Sequence, residues 1–274
     1  MCDPLPYLEV KKNRKFMGIQ DDLAVVTAGL ALASAGLGAA RPGEAAGLYL
    51  AVGYIPFEQE EIEALLAGSV EAGQFSMARF STTGIRAVKP LITFRCLPNM
   101  PAFHISSNFD VQGPYFVTYP GPGQFYLALE AACTALRRAE IEYALVGGVA
   151  DQQNFLVRHH FSRLDSTSKA PPLADAAGCL VLETEPHALR RDARVRARLE
   201  TLELSYEPAD PREVARRTRE EFTGCAAEPW DLGPASLPAT LDRAASESRE
   251  GPLRLRHELQ AADGMRGESE WVLP

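Results

Sequence analysis

The chain has 274 residues, 46% of them hydrophobic, enough for a sizeable core as one large domain or two small ones. Its formal net charge of −8 disfavours nonspecific binding to nucleic acid or to an anionic membrane. The five cysteines, at positions 2, 96, 133, 179 and 225, form no Cys-x-x-Cys pair, so neither a zinc site nor a disulfide framework is indicated and reduced thiols in the cytoplasm are expected.

The N-terminus, MCDPLPYLEV, lacks the apolar run of a signal peptide. Asp21 and Asp22 can cap a helix running to about Leu37, with Gly38 as its stop. Residues 23–40 are rich in Ala and Gly with Thr and Ser, and read as a buried helix rather than a membrane span. Residues 47–53, GLYLAVG, are continuously apolar, as expected of a strand covered on both faces. Residues 58–67, EQEEIEALLA, read as a short amphipathic helix, and 68–89 as a long excursion without clear periodicity. A helix is expected at 99–108, a strand rich in aromatic and β-branched residues at 115–119, a helix at 123–138 and a buried strand at 143–146. Strands at 178–184 and 195–206 flank a helix near 186–190. Beyond them a helix is expected at 211–222, another at 235–245, and a hairpin over 253–272 turning at Asp263-Gly264. Strands alternating with helices argue for an α/β layered fold.

The stretch 99–149 carries the most information. A strand ending abruptly at the mouth of a helix mounts a nucleophile in the positive field of a helix N-terminus. Here the turn reads Tyr119-Pro120-Gly121-Pro122-Gly123-Gln124, with no Cys, Ser, Thr or Lys. Nor is it a phosphate loop, because the Lys-Ser/Thr ending is missing.

The same stretch resembles the β-ketoacyl synthases. Asn99-Met100 opens a helix, Gly113-Pro114 opens a strand, Ala128 and Leu129 lie on the following helix, and Val146-Gly147-Gly148-Val149 ends the next strand. Lys15-Phe16-Met17 and the segment Gly178-Cys179-Leu180-Val181-Leu182-Glu183 with Glu185-Pro186-His187-Ala188 extend the resemblance over residues 10–206. It implies a thiolase-like layered α-β-α fold with the N-terminal repeat intact and the C-terminal repeat strongly reduced. The expected domains are a ketosynthase N-terminal-like part, 1–206, and a remnant, 207–274. Counting from Gly113-Pro114, Pro122 falls where the family carries its cysteine. The family's His-Gly-Thr motif is absent, and Trp230-Asp231 precede Leu232-Gly233 where the family has Gly-His.

The resemblance therefore implies a catalytically silent, chain-length-factor-like subunit of a type II polyketide or fatty-acid-like synthase, with aryl polyene systems as one setting. Its partners would be an active ketosynthase, as a heterodimer, and an acyl carrier protein through that complex. No catalytic residue, cofactor or metal is expected. In the family the strand at 113–119 and the helix at 99–108 form the dimer contact, and tunnel or interface roles fall to Phe94, Phe103, Phe109, Phe116, Tyr119 and Gln124. Tyr115, Phe125 and Tyr126 belong to the same aromatic cluster, for which plain core packing is the competing reading.

Two alternatives stay open. One is a non-condensing acyltransferase or hydrolase using Thr118, Asp165 and His104; the other is a homodimer that binds an acyl chain or carrier protein. Of the histidines, His104 is expected to face the interior or a subunit contact, His159 and His160 to lie in a loop, His187 on a surface helix and His257 on the terminal hairpin. A triad from Asp165-Ser166 and these histidines lacks any Gly-x-Ser-x-Gly support.

Overall fold

The computed structural model describes residues 2–39, 41–164, 171–207, 219–226, 229–247, 249–261 and 264–274. In chain order the elements are α1 (Ile19–Ser34), β1 (Ala46–Val52), α2 (Gln59–Ser69), the two-residue strands β2 (Val70–Glu71) and β3 (Gln74–Phe75), the short helices α3 (Met77–Arg79) and α4 (Ile85–Ala87), α5 (Ile92–Cys96) and α6 (Met100–Phe109). Then come β4 (Tyr115–Thr118), α7 (Gly123–Arg137), β5 (Tyr143–Ala150), α8 (Phe155–Leu164), β6 (Ala176–Glu183), α9 (Glu185–Arg190), β7 (Arg198–Tyr206), β8 (Arg219–Thr223), α10 (Ser236–Ser246), β9 (Leu253–Gln260) and β10 (Met265–Leu273).

The first sheet has the order β4-β1-β5-β6. β1 runs parallel to β4 and β5, and β6 closes the sheet antiparallel to β5. β1 is apolar from end to end because both its faces are covered. Leu48, Leu50 and Val52 pack with Ala24, Ala28 and Leu32 of α1 and Ala102 and Ile105 of α6. Tyr49 and Ala51 face the other way, onto Phe125, Ala128, Leu129 and Ala132 of α7. The second sheet is antiparallel, in the order β7-β10-β9-β8. Its inward residues Leu255, Leu259, Trp271 and Leu273 join the same core as α7 and α10. The layers are thus helix, sheet, helix, sheet. The last sheet turns alternate charged residues outward, as β9 shows with Arg254, Arg256 and Glu258 exposed between buried Leu255, His257 and Leu259.

Several boundaries differ from expectation for identifiable reasons. α1 starts at Ile19, not after Asp22, because Asp21 caps it from within: the Gly18 N–H donates to Asp21 Oδ2 at 2.7 Å. The excursion 68–89 contains the β2–β3 hairpin and a compact pair of helical turns. The His159-His160 segment, expected as a loop, is helix α8; its buried Val157 and half-buried Phe161 lie four residues apart on one face. The expected helix at 211–222 is corrected at its end, where 219–223 form β8 with Glu220 and Phe222 turned toward the core side. Residues 211–218 of that expectation lie outside the described residues, as does Asp263 of the hairpin turn. Among the described residues no helix is long and apolar enough to cross a membrane.

Candidate functional site

The carboxyl ends of β1, β4 and β5 lie together along one edge of the first sheet, because the three strands are parallel and in register. This is where α/β sheets place their ligands. β4 stops at Thr118, Gly121 turns the chain with φ +104°, and Pro122 occupies the N-cap of α7 with φ −68°. Only glycine adopts the positive φ of Gly121 without strain. Pro122 has no N–H and no nucleophilic atom. The Thr118 hydroxyl donates to the Gln124 carbonyl at 3.0 Å, so it closes the turn. Gly123, the first residue of α7, is buried beside Ala261 and Met265 at the tip of the β9–β10 hairpin.

The neighbouring rim is polar and interlocked. At the end of β5, Gln152 Nε2 donates to the Asp231 carbonyl at 2.5 Å, and Asp231 Oδ1 accepts from the Gly233 N–H at 2.9 Å. This seats the 3-10 turn Gly233–Ala235 directly on β5. A Cβ at Gly148 would stand 1.9 Å from the Pro234 carbonyl oxygen. Asp151 is buried, and burial together with the Asp175 carboxylate pushes its carboxyl up to about 7. On the other face of the sheet a recess is lined by Gln20, Asp21, Arg95 and Cys96 with the loop after β1. Asp21 is 2% exposed and burial pushes its carboxyl up to about 7. Burial likewise pushes the Cys96 thiol up to about 11, so it is held protonated. Arg95 is tied to the buried Glu61.

The aromatic cluster divides. Phe125 and Tyr126 are core, 2% and 1% exposed. Phe109 is half-buried against Tyr7. Phe94, Phe103, Tyr115, Phe116 and Tyr119 are exposed, Tyr115 at 69%, on α5, α6, the free edge strand β4 and the turn after it. Gln124 is half-buried at the start of α7.

The model of the β-ketoacyl synthase N-terminal domain matches residues 5–188. The chain belongs to the β-ketoacyl synthase family. Among curated proteins none matches the sequence. Among solved structures, the chain is similar to a type II polyketide synthase ketosynthase in complex with its acyl-carrier protein, at 13% identity and TM-score 0.72, covering 99% of this chain and 88% of that one. It is similar to the ishigamide ketosynthase/chain length factor at 18% identity and TM-score 0.67, covering 99% and 85%. It also resembles the module 1 ketosynthase of the bacillaene synthase from Bacillus amyloliquefaciens FZB42, at 13% identity and TM-score 0.63, covering all of this chain and 65% of that one. These likenesses establish the fold, the thiolase-like layering of the ketosynthases.

Of the candidate site residues expected from the sequence, Pro122 and Gln124 from the resemblance and Thr118 from the acyltransferase or hydrolase alternative meet at the turn. His104 does not join them. It lies on α6, 1% exposed, its ring nitrogens make no hydrogen bond to a described residue, and desolvation drives its pKa down to about 4. Asp165 and Ser166 lie outside the described residues. His159 and His160 are exposed on α8, where the Tyr54 hydroxyl meets His160 Nε2 at 3.3 Å. His187, expected at the surface, is largely covered: its Nδ1 meets Glu183 Oε2 at 2.6 Å. Among the described residues no three His, Cys, Asp or Glu side chains converge as metal ligands.

Sequence reasoning missed one buried network of this ketosynthase-family chain. The Tyr126 hydroxyl meets His257 Nδ1 at 2.9 Å and Ser269 Oγ at 3.0 Å, and Ser269 Oγ also accepts from Trp271 Nε1 at 3.0 Å. Phe222 stacks on the far face of the imidazole, 4.3 Å between centroids. The available signal was the polar His257 and Ser269 at inward positions of otherwise apolar alternation.

Proposed function

We propose that this chain is a catalytically silent, chain-length-factor-like subunit that pairs with an active ketosynthase in type II polyketide or fatty-acid-like biosynthesis and bounds the acyl-chain tunnel. An acyl carrier protein would engage the pair. The observation that carries the reading is Pro122 at the N-cap of α7. Covalent acyl transfer needs an activated nucleophile and an oriented base. The turn offers neither: the Thr118 hydroxyl is committed to the Gln124 carbonyl, and Asp231, at the position the resemblance gives to a histidine, holds Gly233 and Gln152. A second support is the exposed aromatic edge of β4, α5 and α6, since aromatic side chains are enriched at the centres of interfaces. In this reading residues 1–206 are the ketosynthase N-terminal-like part and 207–274 the reduced second repeat, joined by the pairing of β7 with β10.

Native mass spectrometry of the chain co-expressed with the ketosynthase encoded beside it tests the pairing. A one-to-one complex is expected; a homodimer indifferent to the synthase would sink the reading. In the reconstituted pair, Phe103→Ala and Phe116→Ala should shift product length. Unchanged products in a complex that still forms would remove the tunnel role.

A further inference from the structure

Buried polar atoms are nearly always hydrogen-bonded, so those without a protein partner point to something else that satisfies them. Gln20, Asp21 and Arg95 line one recess, and each has a buried atom with no hydrogen-bond partner among the described residues: Gln20 Oε1, Asp21 Oδ1 and Arg95 Nε. The rest of each side chain is fixed, which settles what the free atom offers. Gln20 is 3% exposed, and its Nε2 donates to the Tyr54 carbonyl at 2.7 Å, so Oε1 is an acceptor. Asp21 Oδ2 accepts from the Gly18 N–H at 2.7 Å, which leaves Oδ1. Arg95 Nη2 donates to Glu61 Oε1, which leaves the Nε–H as a donor. Asp21 and Arg95 both flank Gly18, where a Cβ would stand 3.8 Å from Asp21 Oδ2 and 3.9 Å from Arg95 Cβ.

The space they share is small. About 10 Å³ of the recess is open to the centre of a water molecule, which is room for one. Much of the remaining wall is apolar, with Val52, Ile55 and Pro98 in it. The Cys96 thiol does not compete, because it donates to the Pro56 carbonyl at 3.6 Å. The polar set is therefore one N–H donor and two oxygens. Water matches it: it accepts from Arg95 Nε–H and donates one hydrogen to Gln20 Oε1 and the other to Asp21 Oδ1. Three hydrogen bonds is the usual number for a buried water. When Asp21 is protonated, the proton sits on Oδ1, since Oδ2 accepts from Gly18, and the water accepts from it as well. An anion would face two oxygens, and a cation would face the Arg95 guanidinium.

We infer that this recess is a binding site for one ordered water molecule, held by Gln20, Asp21 and Arg95, which ties the first turn of α1 to α5. The tie matters because α5 has five residues, too few to hold a helix by its own backbone bonds. Its charged anchor runs to Glu61 on α2; the water gives it a second attachment, to α1 and through Gln20 to the loop after β1.

The test is a high-resolution crystal structure of the full chain, with and without a sodium bromide soak, together with water deuteron relaxation dispersion of wild type and Gln20→Met, which counts waters held long enough to tumble with the protein. A single peak about 2.7–3.2 Å from Gln20 Oε1, Asp21 Oδ1 and Arg95 Nε is expected, with no bromide signal there and with one long-lived water fewer in the variant. Arg95 Nε bonded directly to Asp21 Oδ1 with nothing between them overturns the inference. So does a bromide peak in the recess, and so do equal counts of long-lived water in the two folded proteins. Where Gln20→Met does not fold, the wild-type crystals decide alone.

Discussion

Gly148 shows how closely the second half of the chain is fitted to the first. Its missing side chain leaves room for the Pro234 carbonyl, and the obstacle is backbone, which cannot swing aside. Gly148→Ala should therefore destabilise the protein by about 1–3 kcal/mol, the cost of overpacking a filled interior. An unaltered urea midpoint would mean that the Gly233–Ala235 turn is not seated on β5. Asp21 gives a pH dependence. Burial pushes its folded pKa up to about 7, above the ordinary carboxylate value, so the folded chain binds this proton more tightly than the unfolded one. The stability it contributes is complete below about pH 4 and is lost as pH rises through about 7. Asp21→Asn keeps an oxygen for the Gly18 N–H and removes the titration. Its stability relative to wild type should rise between about pH 4 and pH 8, by on the order of a few kcal/mol. Equal differences in thermal midpoint across that range would show that Asp21 ionises freely.

At the scale of elements, α7 is clamped at its N-terminal end. Its first turn meets the β9–β10 tip, and Tyr126 reaches His257 and Ser269 in the second sheet. Tyr126→Phe leaves those buried groups short of a partner and should cost about 1–3 kcal/mol by chemical denaturation; a neutral result would place water in the hydroxyl's role. The outer face of the second sheet is less settled. Glu203, Glu268, Glu258 and Glu221 stand in one register row across β7, β10, β9 and β8, and among the described residues Arg256 pairs with Glu258 and Glu268 of it. Like charges directly opposite destabilise a sheet, so Glu203→Lys should raise stability by roughly 0.2–1 kcal/mol; a lowered thermal midpoint would contradict the repulsion. The legibility of elements follows the same physics. β1, α7 and β5 were readable because their apolar patterns are long and both-sided. The β9–β10 hairpin was readable from strict alternation in LRLRHELQ. β8 has five residues in a charged segment, and its pairing with β9 is non-local, so REEFT carried no decisive period. α8 buries Val157 fully but leaves its polar face in solvent, and its stripe was too short to register.

For the whole molecule, the silent-subunit proposal turns on what the elbow would need for condensation. The elbow that mounts a nucleophile is intact as backbone: strand, sharp turn, helix N-terminus. Its position was legible from Gly113-Pro114 and the apolar helix that follows, whereas the polar rim was not, because Gln152, Asp231 and Asp151 come together only through the packing of distant segments. Pro122→Cys would restore a thiol at the N-terminus of α7, where the helix field favours a thiolate. The rest of the chemistry would still be missing. Asp231 is held by Gly233, and His104 is buried on α6 and held neutral by desolvation. A thiolate without an oriented acid–base partner can be acylated but cannot complete a decarboxylative condensation. The expected outcome is that Pro122→Cys becomes labelled by a thiol-directed reagent, folds as the wild type does, and forms no condensation product with malonyl- and acyl-carrier protein when assayed alone. Turnover by the isolated variant would refute the silent-subunit reading, because a base absent from the elbow would then have to be supplied from elsewhere in this chain.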